Sequence, residues 1–411
     1  MSLNDTPSSE RVRIGIFGKR NSGKSSILNA VTGQEAALVS ETKGTTTDPV
    51  YKAMELLPLG PVLFMDTPGL DDEGDLGMLR VQKSRELLKK TDLALLVIDK
   101  TVGMDELDGR LARELQDRQI PFLLIYNKCD LAWGAAAPKE PNALYVSART
   151  GQGIEELKEQ LSKLLPRERQ TKRLVGDLLN PMDLVVLVVP IDKSAPKGRL
   201  ILPQQQTIRD VLEAGAVSVT VREMELKRTL ALLPGRPRLV ITDSQVFDRV
   251  HKETPEGILL TSFSILFARY KGSLARAVLG AGMLEELREG DSVLIAEGCT
   301  HHRQCEDIGT VKLPRWIREY TGKNLKLSFA SGTDFPEDLS PYRLIVHCGG
   351  CMLSEREMQC RVEQAAVGGV PMTNFGILIA YMKGILKRSL DPFPEMADLL
   401  NGGMQWERKE K

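Results

Sequence analysis

Eight residues near the amino terminus, Gly18-Lys19-Arg20-Asn21-Ser22-Gly23-Lys24-Ser25, have the spacing of a loop that closes around phosphates. Glycine lets backbone N–H groups turn toward the anion. Lys24 places a point charge on the β- and γ-phosphates, and the Ser25 hydroxyl suits Mg²⁺. Asn21, Ser22, Gly23 and Ser26 are expected to line the same cradle. Four further segments follow in order: Thr45-Thr46-Thr47, Asp66-Thr67-Pro68-Gly69, Asn127-Lys128-Cys129-Asp130 and Ser147-Ala148. Asp66 is expected to hold the Mg²⁺ shell, Thr46 to reach the same ion, and Gly69 to leave room for the γ-phosphate. Asp130 offers two oxygens to the N1 and 2-amino groups of guanine, a donor pair that adenine lacks. The Lys128 stem covers the base face, and Ser147-Ala148 closes over O6. Together the segments imply a site that binds GTP and GDP and hydrolyses the former, with Lys24, Thr46, Asp66 and Gly69 acting on the phosphates.

The elements that must position these residues are legible as short apolar runs. Val12 to Phe17 reads as a buried parallel strand, with a helix from Ser26 to Val31 after the loop. Pro61 to Met65, Phe122 to Tyr126 and Ala143 to Val146 are further strands, each leading into a motif. Ser40 to Val50 lacks periodicity and reads as a switch loop. Glu155 to Leu165 has helical spacing and closes this domain.

A second constellation lies far downstream. Cys299-Thr300-His301-His302 is followed by His347-Cys348-Gly349-Gly350-Cys351, so three of the four histidines fall in two short stretches. Strands expected at Val293 to Ala296 and Leu344 to Val346 deliver these residues to one sheet end, where open parallel sheets bind ligands. The pattern implies a metal or redox site. Three cysteinates with His301 suit tetrahedral zinc; three with an exchangeable fourth ligand suit a 4Fe–4S cluster; Cys348 and Cys351 alone make a dithiol. His301, His302, His347 and Glu306 are the candidate fourth ligands. Cys129, Cys305, Cys360 and His251 are expected to be structural.

Between the constellations, strands at Leu184 to Ile191, Val217 to Val221 and Leu239 to Thr242, with helices at Gln205 to Ala214 and Ser244 to Val250, spell a small parallel α/β module without catalytic groups. Oligomerisation is one use for such a module. A third strand of the last region is expected at Ile377 to Tyr381. The fold class is therefore α/β: a P-loop domain over 11–166, then two smaller α/β domains with mostly parallel sheets over 174–258 and 259–411, after a disordered 1–10.

Composition narrows the roles. The 55 basic and 55 acidic residues balance, which argues against a nucleic-acid footprint. Met1 to Glu10 lacks the apolar core of a leader, and no segment approaches the ~20 apolar residues of a membrane span, so a cytoplasmic location is expected.

From Arg11 to Leu165 the motifs resemble the Era/TrmE branch of GTPases. That resemblance implies two things. Asn21 stands where potassium-activated members carry a K⁺ ligand, and a K⁺ there neutralises charge developing on the phosphates. Leu70 stands where Ras-like enzymes carry a water-orienting glutamine, so intrinsic hydrolysis is expected to be slow. Over the whole chain, a GTPase fused ahead of Cys-Thr-His and His-Cys-Gly-Gly-Cys resembles the FeFe-hydrogenase maturation GTPases. The resemblance implies a dimerisation domain and a cluster domain, with Cys299, Cys348 and Cys351 holding a 4Fe–4S cluster. It implies a scaffold that receives a diiron subcluster from radical enzymes and delivers it to apo FeFe-hydrogenase. The rival is a regulatory GTPase with a zinc-bound partner-recognition domain. No Cys-x-x-x-Cys-x-x-Cys motif is present, so radical synthesis of the diiron unit is assigned elsewhere.

Overall fold

The run Val12–Phe17 is strand β1, buried from Arg13 onward at the centre of a six-stranded sheet. A computed structural model describes residues 9–33, 50–57, 59–67, 86–131, 142–164, 172–191, 200–298, 307–332 and 334–401. The chain divides into two units, Met1–Thr171 and Lys172–Lys411.

In the first unit the strands are β1, β2 (Val50–Leu56), β3 (Gly60–Asp66), β4 (Leu93–Asp99), β5 (Phe122–Asn127) and β6 (Ala143–Tyr145), in the order β2-β3-β1-β4-β5-β6. Only β2 runs antiparallel, at the edge. Its mostly exposed side chains explain why apolar content does not reveal it. The central strands β1 and β4 are apolar but for Arg13 and the terminal Asp99, as suits a parallel sheet buried on both faces. The phosphate-loop helix is Lys24–Thr32, one turn longer than its apolar run, and it ends on Gly33 at φ 65°.

The second unit contains two four-stranded sheets. One joins β7 (Leu184–Val188), β8 (Val217–Val221), β9 (Leu239–Thr242) and β10 (Leu259–Ser262) in the order β10-β9-β7-β8. The other joins β11 (Ser292–Glu297), β12 (Lys326–Ser331), β13 (Leu344–His347) and β14 (Met372–Asn374) in the order β12-β11-β13-β14. All pairs are parallel. Numbered by appearance, both sheets have the order 2-1-3-4. The expected domains at 174–258 and 259–411 share one core that runs from Leu174 to Phe393, and β10 belongs to the first sheet.

The two sheets repeat each other in detail. Asp183 and Asp291 each precede the first strand and accept the N–H three residues back, from Asn180 at 2.8 Å and Arg288 at 2.7 Å. The intervening Met182 and Gly290 both have positive φ, 69° and 79°. After the fourth strand, Thr261-Ser-Phe-Ser-Ile-Leu-Phe-Ala-Arg-Tyr-Lys-Gly272 matches Thr373-Asn-Phe-Gly-Ile-Leu-Ile-Ala-Tyr-Met-Lys-Gly384 at Thr, Phe, Ile, Leu, Ala, Lys and Gly. Ser262 and Asn374 cap the helices Phe263–Tyr270 and Phe375–Met382 by accepting from Ile265 and Ile377. The Ile377 to Tyr381 run is thus helix rather than strand. It is buried on nearly every side, so it lacks the polar face that marks helical periodicity.

Contacts between the halves are reciprocal, as across a twofold axis. The counterparts Ser264 and Gly376 meet: a Cβ on Gly376 would lie 2.3 Å from that of Ser264. Arg388 donates to the carbonyls of His251 at 2.9 Å and Thr254 at 2.6 Å, at the end of the first half's helix Phe247–Glu253. Its counterpart Arg276 donates to the Val362 carbonyl at 3.2 Å, in the second half's helix Glu355–Val367. Each half therefore lends the helix after its repeat to the other.

Candidate nucleotide site and cysteine loop

The phosphate loop is shaped by residues that tolerate positive φ: Gly18 at 141°, Asn21 at 61° and Gly23 at 92°. At Gly23 a second constraint applies, since a Cβ would lie 2.2 Å from Asn127 Nδ2. That amide bridges the two ends of the site. Asn127 Nδ2 donates to the Ser22 carbonyl at 3.0 Å, and Asn127 Oδ1 accepts from Ala148 N at 3.1 Å. Asn127 thus holds the phosphate loop and the base loop to each other, a role its motif does not spell out.

Lys24 is buried and its ammonium donates to the carbonyls of Gly18 at 3.0 Å and Lys19 at 2.6 Å, inside the loop. Ser25 Oγ donates to Asp66 Oδ2 at 2.5 Å, so β3 and the loop bring the two expected Mg²⁺ residues together. Asp66 Oδ1 is buried and has no partner among the described residues. An unsatisfied buried carboxylate oxygen beside a serine hydroxyl is a donor set that suits Mg²⁺. Burial pushes the Asp66 carboxyl above its ordinary range, against the Ser25 hydrogen bond and the charges of Lys24 and Lys52.

At the base end, Asp130 Oδ1 accepts from Ser147 Oγ at 2.7 Å, and Ser147 Oγ also accepts from Thr150 N at 3.2 Å. Lys128, at φ 64°, sends its ammonium to Asp99 Oδ2 at 2.6 Å, which fixes its stem. Cys129 Sγ contacts Gln152 at 3.6 Å. Thr46, Gly69 and Leu70 lie outside the described residues.

In the second unit, β13 ends at His347 and delivers Cys348 to the carboxyl end of the sheet. Cys348 N donates to Ala296 O on β11 at 2.8 Å, and Cys348 Sγ accepts from Gly298 N at 3.0 Å and Gly350 N at 3.3 Å. Gly298 directly precedes Cys299 in sequence, so the described chain leaves β11 at this sulfur. Two backbone donors aimed at one sulfur suit a thiolate or a sulfur–metal centre. Burial raises the Cys348 thiol to about 11, against those two N–H groups, and burial raises Cys351 against the charge of Lys271. Cys299, His301, His302, Cys305 and Glu306 lie outside the described residues.

His347, one of the candidate fourth ligands, has both ring nitrogens engaged. Its ring is wholly buried; Nδ1 meets the Cys348 carbonyl at 2.7 Å and Nε2 meets Arg361 Nη1 at 2.9 Å. A carbonyl only accepts and a guanidinium only donates, so Nδ1 carries the proton and Nε2 the lone pair that Arg361 uses. Burial, then the Arg361 charge, lowers its pKa to about 3. Arg361 also donates to the Gly332 carbonyl and lies 4.9 Å from the Phe335 ring centre. His347 is a neutral strut under the cysteine loop.

Sequence reasoning misses Lys271. It is 5% exposed and donates to the carbonyls of Gly350 and, at 2.7 Å, Leu353. Burial lowers its pKa to about 8, while Cys351, Cys348, Glu357 and Glu355 raise it. The signal that finds it is the repeat, whose other lysine, Lys383, is exposed.

Comparison with known proteins agrees with this division. Residues 13–128 match the family model described as a 50S ribosome-binding GTPase. The tRNA modification GTPase MnmE of Synechococcus sp. (strain JA-3-3Ab) is 36% identical over 167 residues, 40% of this chain and 36% of that protein. GTPase Der of Wolinella succinogenes is 32% identical over 193 residues, 43% of this chain and 40% of that protein. The chain thus spans well under half the length of either relative. Among solved structures, Aquifex aeolicus Era bound to GDP.AlF4⁻ is 20% identical with a TM-score of 0.32, covering 51% of this chain and 92% of that one. The Thermotoga maritima FeoB G domain is 24% identical with a TM-score of 0.31, covering 38% and 99%.

Fold and motifs together define a P-loop GTPase carrying a second, duplicated α/β unit. The duplicated unit matches two family models in succession, the hydrogen maturase F dimerization domain over 174–272 and the hydrogen maturase F tetramerization domain over 277–392. With both maturase modules in succession behind a GTPase domain, the chain belongs to the hydrogen maturase F family.

Proposed function

We propose that this GTPase is a scaffold that holds a 4Fe–4S cluster on Cys299, Cys348 and Cys351, receives a diiron subcluster from radical maturation enzymes, and delivers it to apo FeFe-hydrogenase. The observation that carries the reading is Cys348, set at the end of β13 with two backbone N–H groups on its sulfur and β11 leading to Cys299 beside it. The candidate fourth ligands are His301, His302, Glu306 and His347, and the contact of His347 with Arg361 favours the first three. A weak fourth ligand lets an incoming diiron complex take its place. The cluster, when bound, would supply an iron with an exchangeable position; the chain's own residues orient the sulfurs. The maturase module names favour an oligomer, at least a homodimer. Among the described residues no helix is long and apolar enough to cross a membrane. We place the protein in the cytoplasm, with no nucleic-acid partner.

The test is anaerobic iron–sulfide reconstitution followed by EPR after reduction. Wild type is expected to give a reduced 4Fe–4S signal, and Cys299→Ser, Cys348→Ser and Cys351→Ser each to lose it. Stoichiometric zinc with no such signal would replace this reading with that of a regulatory GTPase holding a structural metal.

GTP with Mg²⁺ on Ser25 and Asp66, and on Thr46, is the switch that times delivery. Asn21 is the proposed K⁺ ligand. Hydrolysis in KCl is expected to exceed that in NaCl by about tenfold or more, as fits an added charge at the phosphates. Equal rates in the two salts would remove K⁺ from the site.

A further inference from the structure

The two halves of the second unit are copies, so any residue that differs in setting between them marks what one copy does and the other does not. Lys271 and Lys383 occupy the same place, one residue past their helices and just before Gly272 and Gly384, which have φ 74° and 68°. Lys383 is exposed. Lys271 is buried and crosses from the first half to the second, where it bonds the Gly350 and Leu353 carbonyls of the cysteine loop. The nearby carboxylates Glu355 and Glu357 act on its charge without forming an ion pair with it. Glu355 Oε1 is held by Lys172 at 2.5 Å, and Glu357 Oε2 by Ser354 N at 2.9 Å. Among the described residues Lys271 has carbonyl partners and no ion pair. A buried ammonium without a counter-anion is costly, and the sulfurs of Cys348 and Cys351 become anionic when they bind a metal.

We propose that Lys271 is a positioning residue for the cysteine loop: it clamps the turn from Gly350 to Leu353 and supplies positive charge to the sulfur–metal centre built there. The charge half of this statement rests on the cluster reading above; the clamp half does not. Arginine keeps the charge and the donors, glutamine keeps a donor without charge, and methionine keeps neither.

The full-length chain is tested as Lys271→Arg, Lys271→Gln and Lys271→Met, with Lys383→Met as the control. Hydrogen exchange of the metal-free chain over residues 348–354 reads the clamp. Lys271→Met is expected to exchange there about tenfold faster or more, with Lys271→Arg and Lys383→Met like wild type. Unchanged exchange in Lys271→Met overturns the clamp. Redox-titrated EPR of the reconstituted chain reads the charge. Removing a positive charge disfavours the added electron, so the midpoint of Lys271→Gln is expected to fall by about tenfold in the reduction equilibrium, 59 mV for a one-electron couple. An unchanged midpoint in Lys271→Gln overturns the charge role. A wild type that takes up no cluster, with a loop that loosens in Lys271→Met, overturns the cluster reading and supports the clamp.

Discussion

Asp130→Asn is expected to lose GTP affinity by about 100- to 1,000-fold and to gain hydrolysis of xanthosine triphosphate in exchange. Guanine presents two donors, N1–H and the 2-amino group, to the two oxygens of a carboxylate. Asparagine keeps one oxygen for N1–H but sets its own NH₂ against the 2-amino group, so two donors face each other. Xanthine carries a carbonyl at that position and accepts from the asparagine. The geometry favours a clean exchange, because Asp130 is held by Ser147 Oγ through Oδ1 at 2.7 Å and an amide oxygen accepts that bond equally well. Steady-state rates with the two nucleotides check it. A variant that loses GTP without gaining the xanthosine nucleotide would mean that Asp130 holds the loop rather than reads the base.

The second large effect is on stability, and here two principles oppose each other. Gly280 lies within helix Leu274–Gly282, where alanine is favoured over glycine by about 1 kcal/mol. A Cβ at Gly280, however, would sit 2.4 Å from the Met372 carbonyl oxygen and 2.7 Å from its carbon, both backbone of β14. Moving a strand that sits in the shared core costs about 3 kcal/mol or more, so packing wins. Gly280→Ala is expected to destabilise by about 2 kcal/mol, lowering the melting transition of the second unit by roughly 4–8 °C. Gly282→Ala, two residues on with open space at its Cβ, is expected to be neutral or slightly stabilising. Calorimetry of the full chain, following the transition that GDP does not shift, separates the two. A stabilised Gly280→Ala would mean that helix and strand are not in contact.

The nucleotide site is legible in the sequence because each of its motifs is short and follows a strand. The residues that meet, Ser25 with Asp66 and Asp130 with Ser147, each stand at a fixed place in such a motif. The bridge made by Asn127 is less visible, since its partner Ser22 lies 105 residues away and only the fold joins them. The cysteine loop is legible as chemistry but not as geometry. His347 reads as a ligand from its neighbours, and only the structure shows Arg361 taking its lone pair. The run Ile377 to Tyr381 misleads because a helix buried all round carries no period to read. Aligning it with Ile265 to Arg269 corrects the reading from sequence alone, since Ser262 and Asn374 then stand out as paired caps.

The reciprocal loan of helices has a consequence for synthesis. Arg388 closes the end of helix Phe247–Glu253 from 137 residues further along the chain. At a ribosomal pace of ~5–20 residues per second, the first half waits on the order of ten seconds for the segment that completes it. During that wait the apolar surface destined for the second half faces solvent or a chaperone. The nascent chain is therefore most vulnerable to misassembly after the nucleotide-binding unit has formed and before the segment from β14 to Arg388 has emerged.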